Sequence, residues 1–206
     1  MFVQACFDET NGQISFGKAL STHGHLHDGI QNTLDGAGID LTNGYLFLHG
    51  STIAINTILE RSGAKCALLT TQGFRDIYEI GRVNRPESYN LFFRRHSPLI
   101  ERDLRFDISE RIDAQGAVLI KLDEAQVLRV ATDAVARGVE AIAILFLHSY
   151  RNPAHEIRIK QILEEEAPEI FVSVSHELSQ EYREFERCST VVANAYVGPR
   201  VRRYLG

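Results

Sequence analysis

Four consecutive residues, His49, Gly50, Ser51 and Thr52, combine side chains and a glycine that suit the binding of an anion or a carbonyl oxygen. They stand between a short apolar run and a segment whose isoleucines have helical spacing. The glycine lets a ligand approach the backbone, and the hydroxyls lie where free N–H groups open a helix. The same residues also fit an ordinary helix N-cap beside a hydrogen-bonded histidine, so both interpretations stay open.

Two further groups of residues are candidates for ligand binding. His148 follows a buried apolar run and precedes a helix start marked by Pro153, where an imidazole can serve as a base or an orienting donor. Arg82, Asn84 and Arg85 combine a turn with two guanidinium groups, which fit planar carboxylates and phosphates. The alternatives are a plain strand-end residue for the histidine and surface salt bridges for the arginines.

Near the end of the chain, Glu186, Thr190 and Asn194 are spaced four residues apart. This spacing places them on one face of a predicted helix. The polar stripe either lines a cleft or faces solvent.

The elements that must position these residues alternate between strands and helices. An Asn-Gly turn predicts an initial hairpin, and hydrophobic periodicity predicts the elements that follow. Pro199 is expected to interrupt the last helix. The order predicts an α/β fold with flanking helices and a mixed sheet whose first edge is antiparallel. The predicted strands are 2–7, 14–20, 45–48, 65–71, 141–147 and 170–174, and the predicted helices are 28–34, 53–63, 123–138, 153–166 and 184–197.

The predicted topology directs attention to three loops. Ligands of open α/β sheets bind beyond the carboxyl ends of the strands, which here means 49–52, 71–76 and 148–155. Between 76 and 110 no hydrophobic period dominates, and prolines break the chain, whereas 108–122 is predicted to hold a turn between short extended pieces. The segment 76–122 is therefore predicted to be a long excursion or a subdomain.

Composition excludes several classes of protein. The chain has 206 residues, of which 44% are hydrophobic and 24% are charged, so a disordered, collagen-like or disulfide-scaffold protein is ruled out. The net charge is -5, and basic residues are interleaved with acidic ones, which argues against a nucleic-acid partner and an anionic membrane surface. The Walker A, GxGxxG, GxSxG and HExxH patterns are missing, which disfavours Rossmann dehydrogenases, serine hydrolases and zinc peptidases.

The cysteines and the apolar runs indicate a cytoplasmic protein. Cys6, Cys66 and Cys188 are far apart, odd in number and lack zinc-site spacing, so we expect reduced thiols and no metal ligands. The sequence shows no signal-peptide pattern at its start. The longest apolar run, 141–147, is far shorter than the ~20 residues that a membrane-spanning helix needs.

Four long segments resemble the N-terminal domain of the hydantoinase A/5-oxoprolinase family. They are HGSTIAINTILERSGAKCALLTTQGFRDIYEIGRVNRPESYNLFFRR, RDLRFDISERIDAQG, AIAILFLHSYRNPAHE and SVSHELSQEYREFERCSTVVANAYVGP, so the resemblance covers nearly the whole chain. The family includes N-methylhydantoinase A and the related β-type subunits of acetone and acetophenone carboxylases.

The resemblance implies one lobe of an actin/hexokinase-like, ribonuclease H-like ATPase. Such an enzyme uses ATP and Mg²⁺ to phosphorylate a carbonyl oxygen, after which water opens a cyclic amide or a ketone is carboxylated. The implied partners are a C-terminal ATPase lobe and a hydantoinase B-type subunit. By placement, the catalytic candidates are His49, Ser51 and Thr52, and the substrate-binding candidates are Gly50, Asn56, Arg82, Asn84, Arg85 and His148.

One departure from the family pattern concerns the phosphate loop. The family begins with a strand that carries Asp-x-Gly-Gly-Thr, directly before a segment like Phe2–Asp8, and this motif is not in the sequence. The resemblance therefore implies a single domain, 1–206, that lacks the first strand and is truncated at both ends. Two hypotheses follow: a lobe that is active only within a longer chain or complex, or a non-catalytic remnant that binds a partner.

Overall fold

The computed structural model describes residues 2–20, 26–48, 50–82, 89–93 and 97–205. The chain divides into two compact units. The first consists of Met1–Ser51 with Tyr204–Gly206, and the second of Thr52–Arg203.

The first unit is a β-hairpin with one helix packed on it. Strands β1 (Phe2–Asp8) and β2 (Gln13–Ala19) pair in antiparallel fashion, and helix α1 (Leu26–Ala37) follows. The helix approaches the hairpin closely at Gly17, where a Cβ atom would lie 2.3 Å from the carbonyl oxygen of Thr33. The predicted hairpin and helix are confirmed, and the helix is longer than the predicted 28–34.

The predicted strand 45–48 is wrong for the described part of the chain. These residues lie outside the described strands, and Tyr45 and Leu48 are 96% and 82% exposed. A run of four apolar residues is too short to identify a strand on its own, because it forms one only where a neighbouring strand supplies hydrogen-bond partners.

The second unit is built on a parallel sheet. Its strand order is β4 (Arg105–Ile108), β3 (Cys66–Thr71), β7 (Ala141–Leu145) and β8 (Phe171–Val174). Every residue of the two central strands is buried, as expected for a sheet that is covered on both faces. A small antiparallel pair, β5 (Arg111–Ile112) and β6 (Val118–Ile120), stands apart from this sheet.

The helices of the second unit flank the sheet and follow its strands. The long ones are α4 (Glu124–Ala136), α5 (Ala154–Glu166) and α7 (Glu184–Leu205), and the short ones are α2 (Ile53–Leu59), α3 (Ile77–Ile80) and α6 (Ser175–Leu178). In α4 the side chain of Asp123 caps the helix by accepting a hydrogen bond from the backbone N–H of Gln126.

Three expectations from the sequence need correction. The hairpin and the parallel strands form separate sheets among the described residues, rather than one mixed sheet with an antiparallel edge. The segment 76–122 contributes β4 to the main sheet, so part of it is not an excursion. Helix α7 continues through Pro199 to Leu205, because Gly198 beside the proline packs so closely on the ring of Phe171 that tertiary contacts hold the helix together.

Two of the three thiols are buried in the core of the second unit. Burial raises the pKa of Cys66 and the pKa of Cys188 to about 12, whereas Cys6 lies half-buried in the hairpin. We expect a maleimide at pH 8 to label one thiol per chain rapidly and the other two only after unfolding, as mass spectrometry can count. Rapid labelling of all three thiols would contradict the packing described here.

The same burial makes folding stability depend on alkaline pH. The folded state keeps protons on Cys66 and Cys188 that an unfolded chain, with an ordinary thiol pKa of ~8.5, releases. The contribution is therefore complete below that value and is lost as the pH rises toward 12.

Candidate functional site

Polar groups converge at the carboxyl ends of strands β3, β7 and β8. Thr71 ends β3, the segment 146–150 follows β7, and Ser175 follows β8. Because parallel strands place their carboxyl ends at one edge, these residues meet where open α/β sheets bind ligands. We call these residues, together with the buried side chains of Glu110, His155, Glu156 and Arg187 that bond to them or to one another, the polar edge.

Glu156, in the first turn of α5, is the fully buried acid of the polar edge. Its Oε1 accepts hydrogen bonds from the backbone N–H of Phe146 (2.9 Å) and from the hydroxyl of Ser175 (2.7 Å). Its Oε2 accepts from the backbone N–H of His176 (3.0 Å) and lies 2.8 Å from Nδ1 of the same histidine. One carboxylate thereby ties together the ends of two strands and the start of α6.

Arg187, in α7, is the fully buried base of the polar edge. Its Nη2 donates to the carbonyl oxygen of Phe146 (3.1 Å), and its Nη1 donates to the hydroxyls of Ser175 (3.0 Å) and Ser149. Its guanidinium carbon lies 5.4 Å from the centre of the Tyr150 ring, within cation–π distance.

Glu156 and Arg187 carry opposite charges and are bridged by one hydroxyl group. Ser175 accepts from the guanidinium and donates to the carboxylate, so it bridges the pair. Burial lowers the pKa of Arg187, and the charge of Glu156 counteracts this effect. A buried charge of this kind persists only when it is paired and hydrogen-bonded.

A second buried chain of hydrogen bonds runs from β3 to α5. The hydroxyl of Thr71 accepts from the backbone N–H of Leu147 (2.9 Å) and donates to Oε1 of Glu110. The other carboxylate oxygen of Glu110 lies 2.7 Å from Nδ1 of His155, which is also buried. These hydrogen bonds hold the backbone of Leu147, next to the residues that Arg187 contacts.

His148 lies between these two networks in a strained backbone conformation. Its φ is +57°, in the left-handed region, which costs a residue with a Cβ atom roughly 1–2 kcal/mol. Its Nδ1 is buried and has no hydrogen-bond partner among the described residues, while its ring meets that of Tyr150 edge-on at 6.0 Å. Together, the backbone strain and the unsatisfied buried nitrogen make His148 a candidate for a functional residue.

The predicted catalytic turn is only partly described. Thr52 occupies the N-cap position of α2, as predicted, but its side chain makes no capping hydrogen bond. Instead its hydroxyl accepts from Nδ2 of Asn56 at 3.3 Å. Gly50 and Ser51 belong to the first unit, and His49 lies outside the described residues.

Of the predicted arginine group, only Arg82 is described. It donates to Oε1 of Glu186 through both Nε (2.6 Å) and Nη2, and it holds the pKa of that carboxyl below its ordinary value. Asn84 and Arg85 lie outside the described residues. Within the described part of the chain, no hydrogen bond or ion pair joins Arg82 or His148 to Thr52.

The predicted polar stripe on α7 divides along the helix. Glu186 pairs with Arg82, and Thr190 donates back to the carbonyl oxygen of Glu186 (2.9 Å). Asn194 donates to the hydroxyl of Ser173 in β8 (2.8 Å), so this end of the stripe holds the helix to the sheet.

Sequence reasoning missed part of the polar edge. The missed residues are polar side chains that are deeply buried. The only sequence signal near any of them is Pro153, which marks the helix start that Glu156 follows. Within the described ranges, no group of three or more His, Cys, Asp or Glu side chains is placed to hold a metal ion. The missed residues are Glu110, Glu156, Ser175 and Arg187, whereas Thr71, Ser149 and His155 lie in the loops 71–76 and 148–155 that the predicted topology singles out.

A search for membrane spans among the described residues finds no helix that combines the necessary length and apolarity.

The fold and the polar edge define an α/β domain in which buried polar side chains gather at the carboxyl ends of a parallel sheet. The chain belongs to the hydantoinase/oxoprolinase family: the model of the hydantoinase/oxoprolinase N-terminal region matches residues 4–167. The family resemblance noted from the sequence is thereby confirmed.

Similar proteins are known from archaea and bacteria. A protein of Methanocaldococcus jannaschii without an assigned function is 37% identical over 202 residues, covering 97% of this chain and 30% of the relative. The alpha subunit of the caprolactamase of Pseudomonas jessenii is 36% identical over 163 residues, covering 78% of this chain and 23% of the relative. The chain thus spans less than a third of these curated relatives.

Solved structures show the same fold. The crystal structure of the ATP-dependent caprolactamase from Pseudomonas jessenii matches with a TM-score of 0.81 at 32% identity, covering 97% of this chain and 30% of that one. The nucleotide-free structure of acetone carboxylase, from work on ATP-dependent acetone carboxylation, matches with a TM-score of 0.81 at 27% identity, covering 98% and 31%.

Proposed function

We propose that this chain is the N-terminal lobe of an ATP-dependent hydrolase that opens cyclic amides of the hydantoin or 5-oxoproline type. The family match and the likeness to an ATP-dependent caprolactamase support this proposal. The observation that carries it is the polar edge, which presents a strained and unsatisfied His148 where parallel sheets bind ligands. The proposal includes an actin/hexokinase-like lobe and a cytoplasmic location.

The proposed reaction spends one ATP for each ring that opens. The amide carbonyl oxygen attacks the γ-phosphorus of ATP, an O–P bond forms, the bond to the β-phosphate breaks, and ADP leaves. Water then adds to the activated carbon and loses a proton. The C–N bond breaks, the nitrogen takes up a proton, and the ring opens. A second water releases the phosphate. In sum, ATP, the cyclic amide and two waters give ADP, phosphate and the ring-opened acid, which is an amino acid from 5-oxoproline and an N-carbamoyl amino acid from a hydantoin.

We assign the proposed roles by placement in the chain. His49, Ser51 and Thr52 orient the reacting carbonyl and stabilise the developing oxyanion. Binding of the substrate falls to the other candidates, among which His148 supplies an imidazole at the polar edge. These binding residues are Gly50, Asn56, Arg82, Asn84, Arg85 and His148.

The proposed enzyme needs parts beyond this chain. ATP enters with Mg²⁺, which neutralises its phosphates, and no residue of this chain is assigned to the ion. A C-terminal ATPase lobe and a hydantoinase B-type subunit complete the enzyme, in keeping with the subunit status of the caprolactamase relative. The small-molecule substrate is the only other ligand proposed, without nucleic acid or membrane.

An ATPase assay on the purified chain tests whether further parts of the enzyme are needed for ATP turnover. Because the chain matches only about 30% of its longer relatives and lacks an Asp-x-Gly-Gly-Thr loop, we expect no Mg²⁺-dependent ATP turnover, with or without a hydantoin. A longer protein that supplies both the phosphate loop and the proposed C-terminal lobe should show turnover that depends on the cyclic amide. Turnover by the 206-residue chain alone, after contaminating ATPases are excluded, would contradict the need for a second lobe.

A ketone carboxylase lobe is the second candidate function, favoured by the structural match to acetone carboxylase. The two candidates differ in the acceptor that stimulates ATP turnover in the complete enzyme: a cyclic amide for the hydrolase, and a ketone with bicarbonate for the carboxylase. A non-catalytic, partner-binding domain would respond to neither.

A further inference from the structure

Arg187 directs most of its contacts to the segment that carries His148. It donates hydrogen bonds to the carbonyl oxygen of Phe146 and the hydroxyl of Ser149, and its guanidinium lies within cation–π distance of the Tyr150 ring. Three residues of the five between 146 and 150 are therefore held by one guanidinium. The planar fork of arginine reaches all three at once, which the single ammonium of lysine cannot do.

His148 depends on these neighbours for its position. Its own ring has no hydrogen-bond partner at Nδ1 among the described residues, and its recorded ring contact is with Tyr150. On one side the backbone N–H of Leu147 is held by Thr71, and on the other side Ser149 is held by Arg187. The direction of the imidazole is thus imposed through the backbone and Tyr150, rather than by bonds of its own.

We propose that Arg187 is a positioning residue, which clamps the segment 146–150 so that the strained imidazole of His148 is aimed at a carbonyl or phosphate oxygen of the ligand. The inference rests on the proposed function of His148 in binding. Arg187 itself touches no substrate and acts through His148. The left-handed φ of His148 persists because the clamp over-determines the backbone on both sides.

The test compares two buried arginines by NMR in the 206-residue chain. Arg187→Lys keeps the charge and removes the fork. Arg105→Lys is the matched control, because Arg105 is also fully buried but donates to the carbonyl oxygen of Ile100 and to Glu79, away from 146–150. The readout is the imidazole cross-peak of His148, assigned from its loss in His148→Gln.

Arg187→Lys is expected to shift the His148 cross-peak by more than its line width, whereas Arg105→Lys is expected to leave it in place. An unmoved His148 signal in folded Arg187→Lys would overturn the proposal, and so would an equal shift in both variants. Should Arg187→Lys fail to fold, Ser175→Ala replaces it, because it changes no residue of 146–150 and removes one bond to Arg187, together with the contacts of the Ser175 hydroxyl with Ser149 and Glu156. A smaller shift of the same signal is then expected, and no shift contradicts the clamp.

A kinetic readout separates this inference from the proposed function. In the complete enzyme, Arg187→Lys should lower kcat for amide-dependent ATP turnover about ten-fold to a hundred-fold, since small misplacements of an orienting group cost that much. KM for ATP should stay unchanged. If the complete wild-type enzyme shows no such turnover, the proposed function fails, while the NMR comparison still decides whether Arg187 positions His148.

Discussion

Replacing Glu156 with glutamine is expected to lower the free energy of unfolding by about 3–5 kcal/mol, the range seen when one partner of a buried charge pair is removed. The side chain keeps its size, but its charge is lost and one acceptor oxygen becomes an NH₂ group. This group would face donors of Ser175 or His176, which leaves at least one of them unsatisfied. The buried Arg187 would also lose the carboxylate that offsets its burial.

Urea unfolding of the purified chain, followed by circular dichroism, measures this effect. Glu124→Gln is the matched control, because Glu124 makes an exposed ion pair with Arg158 on the surface of α4 and α5. The control should leave the unfolding midpoint where it is. Equal midpoints for Glu156→Gln and the wild type would show that the polar edge does not hold the strand ends together.

Replacing His148 with glycine should separate stability from activity. Glycine adopts a φ of +57° freely and removes the buried unsatisfied nitrogen, so we expect the unfolding free energy to rise by about 1 kcal/mol. In the complete enzyme, loss of the imidazole should lower kcat by about ten-fold to a hundred-fold, since misplacement of a bound substrate costs that much. A stabilising change that destroys activity marks a residue kept for function rather than for folding.

Arg61→Gly is the control for this substitution. Among the described residues, Arg61 is the other non-glycine residue with a left-handed φ, which is +54°. Its guanidinium donates to the carbonyl oxygens of Ser97 and Pro98. It has no proposed role in the reaction, so kcat of Arg61→Gly should match that of the wild type. If His148→Gly also retains full activity, His148 is not part of the site.

The sequence predicts the parallel sheet best where burial is continuous. The run 141–147 reads as a central strand because every side chain in it is apolar, and β7 lies there. Strand β4 escapes detection, because Arg105 and Asp107 interrupt its apolar pattern. Arg105 is buried nevertheless, since it satisfies its donors on the carbonyl oxygen of Ile100 and on Glu79.

The candidate site is predictable only in its location. The rule that ligands bind beyond strand ends leads to His148 without any knowledge of its contacts. Glu156 and Arg187 escape because their partners are distant in sequence: Phe146 is 10 residues from one and 41 from the other. A charged residue in a helix is normally read as solvent-exposed, and only tertiary pairing reveals it as buried.

This chain is proposed to form part of a site where ATP drives the opening of a cyclic amide. The most direct measurement is the ratio of ADP formed to ring opened by the complete enzyme, with the wild type beside the double variant Ser51→Ala, Thr52→Ala. We expect one ADP for each ring opened by the wild type, and a loss of about a hundred-fold or more in both products for the variant. Unchanged turnover in the double variant would remove the turn 49–52 from the mechanism. ADP formation that is independent of any cyclic amide would contradict the proposal that ATP drives ring opening.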